Sequence, residues 1–171
     1  MNIADLETLD YPPLTADLEE AKAHLDEYGM ALIENVLTAK EVEEMDQRLN
    51  EQFLGEEKHQ VGSKLRGDEG LGVQSPEEEK VSRLIWNLLN KGDCFLKLLD
   101  HPKILPLVQH LIGEKVCLCS IGAHMNGSGN ERMALHQDQW PLVPHPMDFP
   151  FMANVMYLSL IHISEPTRRP I

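Results

Sequence analysis

The sequence predicts an α+β fold: N-terminal helices packed on the beginning of a β-sandwich or jelly roll that is incomplete at the C-terminus. Two observations predict it. Up to Gly113, apolar residues recur mostly at helical spacing, punctuated by capping residues and glycines. From Lys115 onward, β-forming runs alternate with Asn/Gly and proline-rich turns. Helices first and strands later fit an α+β plan better than an alternating βα one.

The first helical pattern follows Thr15, with Leu18, Ala21, Ala23, Leu25 and Tyr28 near helical spacing and Gly29 as its stop. Met30 to Leu37 is a short apolar run that reads as a strand. Thr38-Ala39-Lys40-Glu41 is a capping box, in which hydroxyl and carboxylate satisfy the first free N–H groups. The helix it opens carries Val42, Met45, Leu49 and Phe53 on one face. Gly55 to Gln74, with five glycines and little periodicity, reads as a loop over a site. Ser75-Pro76-Glu77-Glu78 combines an N-cap, a first-turn proline and a capping-box acid. It predicts a helix burying Val81, Leu84, Ile85, Leu88 and Leu89 and ending before Gly92. A further helix is expected from Pro102 towards Leu111, capped by Asp100 and stopped by Gly113. Lys115 to Met125 reads as a strand, Asn126 to Asn130 as a turn, and Met133 to Gln137 as a strand end. After a crossover rich in proline, Phe151 to Tyr157 reads as another strand.

The chain of 171 residues is long enough for one domain with a real core. A formal charge of −13 argues against nucleic acid or an anionic membrane as partner, since both reward a basic surface. No apolar run approaches the roughly 20 residues of a membrane span. The N-terminus lacks the basic and apolar regions of a signal peptide. With three cysteines, Cys94, Cys117 and Cys119, a reducing cytoplasm is expected, the cysteines serving as small buried hydrophobes.

Chemistry concentrates in Leu135-His136-Gln137-Asp138-Gln139-Trp140. On a strand, His136 and Asp138 project to one face while Gln137 points away. An imidazole and a carboxylate side by side are two of the three ligands of a facial triad for non-haem Fe(II). The same pair also suits an ordinary polar strand end, or a cupin-like site for another metal.

In these residues the chain resembles the phytanoyl-CoA dioxygenase family. The matching pieces are YGMALIENVLTAKEVEEM with the helix before it, the strand and turn GAHMNGSGNE, LHQDQW, and FMANVMYL, in the family's order over most of residues 15–157. The resemblance implies a double-stranded β-helix holding Fe(II), with 2-oxoglutarate as co-substrate and O2 as oxidant. A small organic substrate would be hydroxylated as 2-oxoglutarate is decarboxylated to succinate. His136 and Asp138 would be the first two iron ligands, with Gln137 and Gln139 flanking them. Asn154 lies in a strand that often supplies a polar contact to 2-oxoglutarate; Gly122 and Met125 would line the same cavity. No basic cluster lies near the motif, which weighs against a CoA thioester as substrate.

The family also needs a distal His as third ligand and an Arg about ten residues later. Both are expected beyond the strand at Phe151 to Tyr157, and His145 lies in the proline-rich loop where neither belongs. Leu158 to Arg168 resembles the translation of a transposase sequencing adapter. Residues 1–157 are therefore expected to be the N-terminal part of such a domain, and 158–171 a non-native tail, which sets His162, Arg168 and Arg169 aside. On that expectation this chain by itself is inactive. The competing reading is a non-catalytic jelly roll that keeps its pocket for ligand binding or as a scaffold.

Overall fold

A computed structural model describes residues 11–61, 63–65, 82–125, 138 and 149–158. The fold is a mixture of helices and small sheets, as the α+β expectation requires. Its elements are β1 (Leu14–Thr15), α1 (Leu18–Tyr28), β2 (Leu32–Ile33), α2 (Ala39–Lys58), β3 (Ser63–Leu65), β4 (Ser82–Trp86), α3 (Leu105–Ile112) and β5 (Gly122–Met125). Two 3₁₀ turns, Leu88–Asn90 and Asp93–Leu98, stand between β4 and α3. β1 and β2 pair in parallel, and β3, β4 and β5 form an antiparallel sheet with β4 in the middle.

The helices start and stop where their capping groups dictate. Asp17 caps α1, its carboxylate accepting from the N–H groups of Glu19 and Glu20 at 2.8 and 2.9 Å. Gly29 ends the helix in the left-handed region at φ 72°, which costs glycine little. At α2 the expected capping box is present in full, with Thr38 N–H donating to Glu41 at 2.9 Å. Those hydrogen bonds from Thr38 hold the Glu41 carboxyl below its usual range.

The core lies between α2, the three-stranded sheet and the 3₁₀ turns. Met45, Phe53, Ile85, Leu88, Cys94 and Phe95 are buried together, with Leu49, Leu98, Ile121, Ala123 and Met125 against them. Met45, Leu49 and Phe53 are thus the face the heptad-like spacing predicted. α1 and α3 pack on each other nearby, tied by His110 Nε2 to Asp26 Oδ1 at 2.8 Å.

Several expectations change. Residues 82–86 form a strand, not a helix. Leu84 and Ile85 are adjacent yet 2% and 0% exposed, as in a strand covered on both faces. Leu84, Ile85 and Leu88 satisfy helical spacing equally well, and pairing to β3 and β5 decides between the two. Of the loop expected over 55–74, residues 55–58 belong to α2 and 63–65 to β3, and 66–74 lie outside the described residues; nothing lies within 4 Å of a Cβ at Gly55, so the helix passes it unhindered. α3 starts at Leu105, where the carbonyl of His101, not Asp100, receives the N–H groups of Ile104 and Leu105 at 2.9 Å. Of the strand expected over 115–125, only Gly122–Met125 is paired, and 151–157 pairs with no strand among the described residues. A β-run without a neighbour to hydrogen-bond stays irregular. Cys117 and Cys119 are consequently exposed, contrary to expectation, whereas Cys94 is buried. Burial, and Glu44 nearby, push the Cys94 thiol up and keep it unreactive.

A largely buried ion pair crosses from helix to turn. Glu56 on α2 is 8% exposed and accepts from Lys91 Nζ and from Gln52 Nε2 at 2.9 Å. Arg48 donates to Gln52 Oε1 at 2.6 Å and extends the chain of contacts. Burial pushes the Glu56 carboxyl up, but the hydrogen bonds from Lys91 and Gln52 outweigh it and leave the carboxyl below its usual 4.5. A depressed carboxyl contributes stability above its unfolded pKa, and that contribution fades as pH falls through the folded value. Lys91→Ala is expected to cost about 2–3 kcal/mol at pH 7, because it strands a largely buried carboxylate. The difference between wild type and variant should begin to shrink below about pH 4.5 and close as the pH falls under the folded value. Urea unfolding at pH 7 and pH 3.5 measures both; an equal difference at the two values would contradict the assignment.

Candidate functional site

Of the Leu135–Trp140 motif, Asp138 is described, at a turn with its side chain exposed; His136, Gln137 and Gln139 lie outside the described residues. Asp138 has a named partner. Asn154 Nδ2 donates to its Oδ2 across sixteen residues of sequence. The structure thus brings together two of the expected site residues, the carboxylate and the asparagine of the 151–157 run.

What holds Asn154 there is a tyrosine that sequence reasoning passed over. Tyr157 O–H donates to the carbonyl of Leu98 at 3.0 Å, pinning residues 151–158 to the second 3₁₀ turn. Burial raises the phenol to about 12. A tyrosine in an apolar run was the available signal, since a half-buried phenol needs a hydrogen-bond partner. Two residues separate this anchor from Asn154.

Gly122 and Met125 do not come together in the same way. Along β5 exposure alternates, and Met125 lies on the side that packs against the core while Gly122 lies on the other. They therefore present opposite faces of the sheet. Gly122 has a packing reason of its own. It pairs with Trp86, and a Cβ there would meet the Ile85 carbonyl oxygen at 3.0 Å and the Trp86 ring at 3.6 Å. Backbone cannot yield as a side-chain tip can. Gly122→Ala is expected to destabilise by about 1–3 kcal/mol, read as a lower thermal midpoint; an unchanged midpoint would show that the strand pair opens freely.

Among the described residues no three His, Cys, Asp or Glu side chains gather as a metal site, and no helix is long and apolar enough to cross a membrane. The donor chemistry of Asp138 nevertheless fits a hard divalent cation. It is an accessible carboxylate, and Asn154 approaches it as a neutral amide donor.

Comparison with known proteins gives the class first. The chain is 28% identical over 145 residues to Dioxygenase af480 of Aspergillus fumigatus, an alignment covering 84% of this chain and 44% of that protein. The chain therefore spans less than half the length of the curated relative it matches. The family model described as phytanoyl-CoA dioxygenase (PhyH) matches residues 25–159, and the chain belongs to that family. No solved structure matches it. The matched span includes the whole Leu135–Trp140 motif and Asn154, so the resemblance drawn from those residues holds.

Proposed function

We propose that this chain is the N-terminal part of a non-haem Fe(II)- and 2-oxoglutarate-dependent dioxygenase that hydroxylates a small organic substrate. The fold proposed for the whole domain is a double-stranded β-helix, with residues 158–171 a non-native tail. The observation that carries this reading is the family match across His136-Gln137-Asp138, in which Asp138 is an accessible carboxylate held by a neutral donor.

His136 and Asp138 would hold the metal. Bound there with 2-oxoglutarate and O2, Fe(II) supplies C–H hydroxylation coupled to decarboxylation of the co-substrate. The work of this chain's residues is geometric. A strand through 133–137 would keep the imidazole and carboxylate on one side and turn Gln137 away. The Tyr157 anchor keeps the 151–158 segment, and with it Asn154, beside Asp138. Of the residues proposed to touch the co-substrate, Met125 belongs to the core-facing side of β5 and Gly122 to its other face, so their contributions are separate.

The test uses the full-length protein that contains this chain, supplied with Fe(II), ascorbate and 2-oxoglutarate. Succinate should form, stop on chelation and resume when Fe(II) is returned. A well-folded protein that forms no succinate under any of these conditions would favour the non-catalytic alternative.

A further inference from the structure

Resting on that metal reading, we propose that Asn154 is a positioning residue: its amide orients the carboxylate of Asp138 for metal binding and does not contact 2-oxoglutarate. The observation is the hydrogen bond from Asn154 Nδ2 to Asp138 Oδ2. An exposed aspartate at a turn has two side-chain torsions to lose when it binds a cation. A donor that fixes the carboxylate beforehand removes part of that entropic cost.

Asn154 can do so because its own segment is held at both levels. Phe151, Met152 and Ala153 are partly buried, and Tyr157 hydrogen-bonds Leu98, which packs against the core that contains Phe95. The chain of support runs from core to 3₁₀ turn, to Tyr157, to Asn154, and so to the carboxylate. A lysine or arginine at position 154 would orient the group equally well but would compete with a cation for its charge. A neutral amide does not. The NH2 group is also the only part of this side chain that an anionic 2-oxoglutarate carboxylate could use, and one of its two N–H donors is committed to Asp138.

Co(II) is the probe, because its visible absorption reports ligand geometry and its affinity is measurable without turnover. In the full-length protein, Asn154→Ala should weaken Co(II) binding by about 10–100-fold and shift the absorption bands, while 2-oxoglutarate affinity at saturating Co(II) stays within about twofold. Asn154→Asp keeps the shape, removes the donor and sets a second negative charge against Asp138, so it should also shift the bands. Asn154→Gln, which retains the donor, should recover part of the affinity. Asn154 is exposed, so these variants should keep the wild-type thermal midpoint. Unchanged Co(II) affinity and spectrum together with weakened 2-oxoglutarate binding would overturn the proposal and make Asn154 a co-substrate contact. If Asp138→Ala binds Co(II) as the wild type does, the metal reading itself fails, and this inference falls with it.

Discussion

In the full-length protein, Asp138→Ala should reduce Fe(II)-dependent succinate formation by on the order of 10³-fold or more. A facial site has three protein ligands, and losing one leaves a weakly held ion in the wrong geometry. The effect should exceed the 10–100-fold typical of an outer-shell partner, which separates Asp138 from Asn154 in one experiment. His136→Ala should behave alike, since imidazole and carboxylate act as one unit and their losses will not add. Asp138→Glu is nearly as damaging, because one extra methylene moves the carboxylate by more than such a site tolerates. Fold is checked independently: Asp138 is exposed, so its removal should leave the thermal midpoint within about 1–2 °C of wild type. Asp138→Ala retaining more than a few per cent of activity with its fold intact would remove Asp138 from the metal site.

The local capping chemistry was legible in the sequence because it is decided within four or five residues. Thr38 and Glu41 needed nothing from elsewhere in the chain, and the face of Met45, Leu49 and Phe53 followed from spacing alone. Residues 82–86 were misread for the opposite reason. Their apolar run serves a helix or a doubly covered strand, and β3 and β5, approaching from about twenty and forty residues away, make the choice. The runs at 115–120 and 151–157 show the same dependence from the other side: strand-forming composition without a partner among the described residues yields irregular chain. The family was legible from its motifs. The contact of Asn154 with Asp138 was not, since nothing local to either residue announces it. Tyr157 was overlooked because it was taken as one more apolar strand residue, when its hydroxyl is what ties the segment down.

The largest stability effect should come from Phe95. It is 1% exposed and sits at the end of the support chain, in a 3₁₀ turn that also carries Cys94 and Leu98. Phe95→Ala removes a whole ring from among Met45, Phe53, Ile85 and Leu88 and leaves a cavity that β4 and α2 cannot both close in to fill. The expected cost is about 3–5 kcal/mol, lost transfer energy plus the unfilled cavity. Phe95→Leu should cost much less, because it keeps most of the volume. By contrast, Met156→Ala, at a residue 79% exposed, should stay within about 0.5 kcal/mol of wild type. Because the turn that holds Phe95 also presents the Leu98 carbonyl to Tyr157, the loss should reach the site. Co(II) affinity should fall for Phe95→Ala even where the protein is still folded, and Tyr157→Phe should reproduce part of that fall at little cost in stability. Urea unfolding and Co(II) titration on the same samples test both halves. A Phe95→Ala protein that loses several kcal/mol yet binds Co(II) at full strength would show that Asp138 is oriented independently of the core.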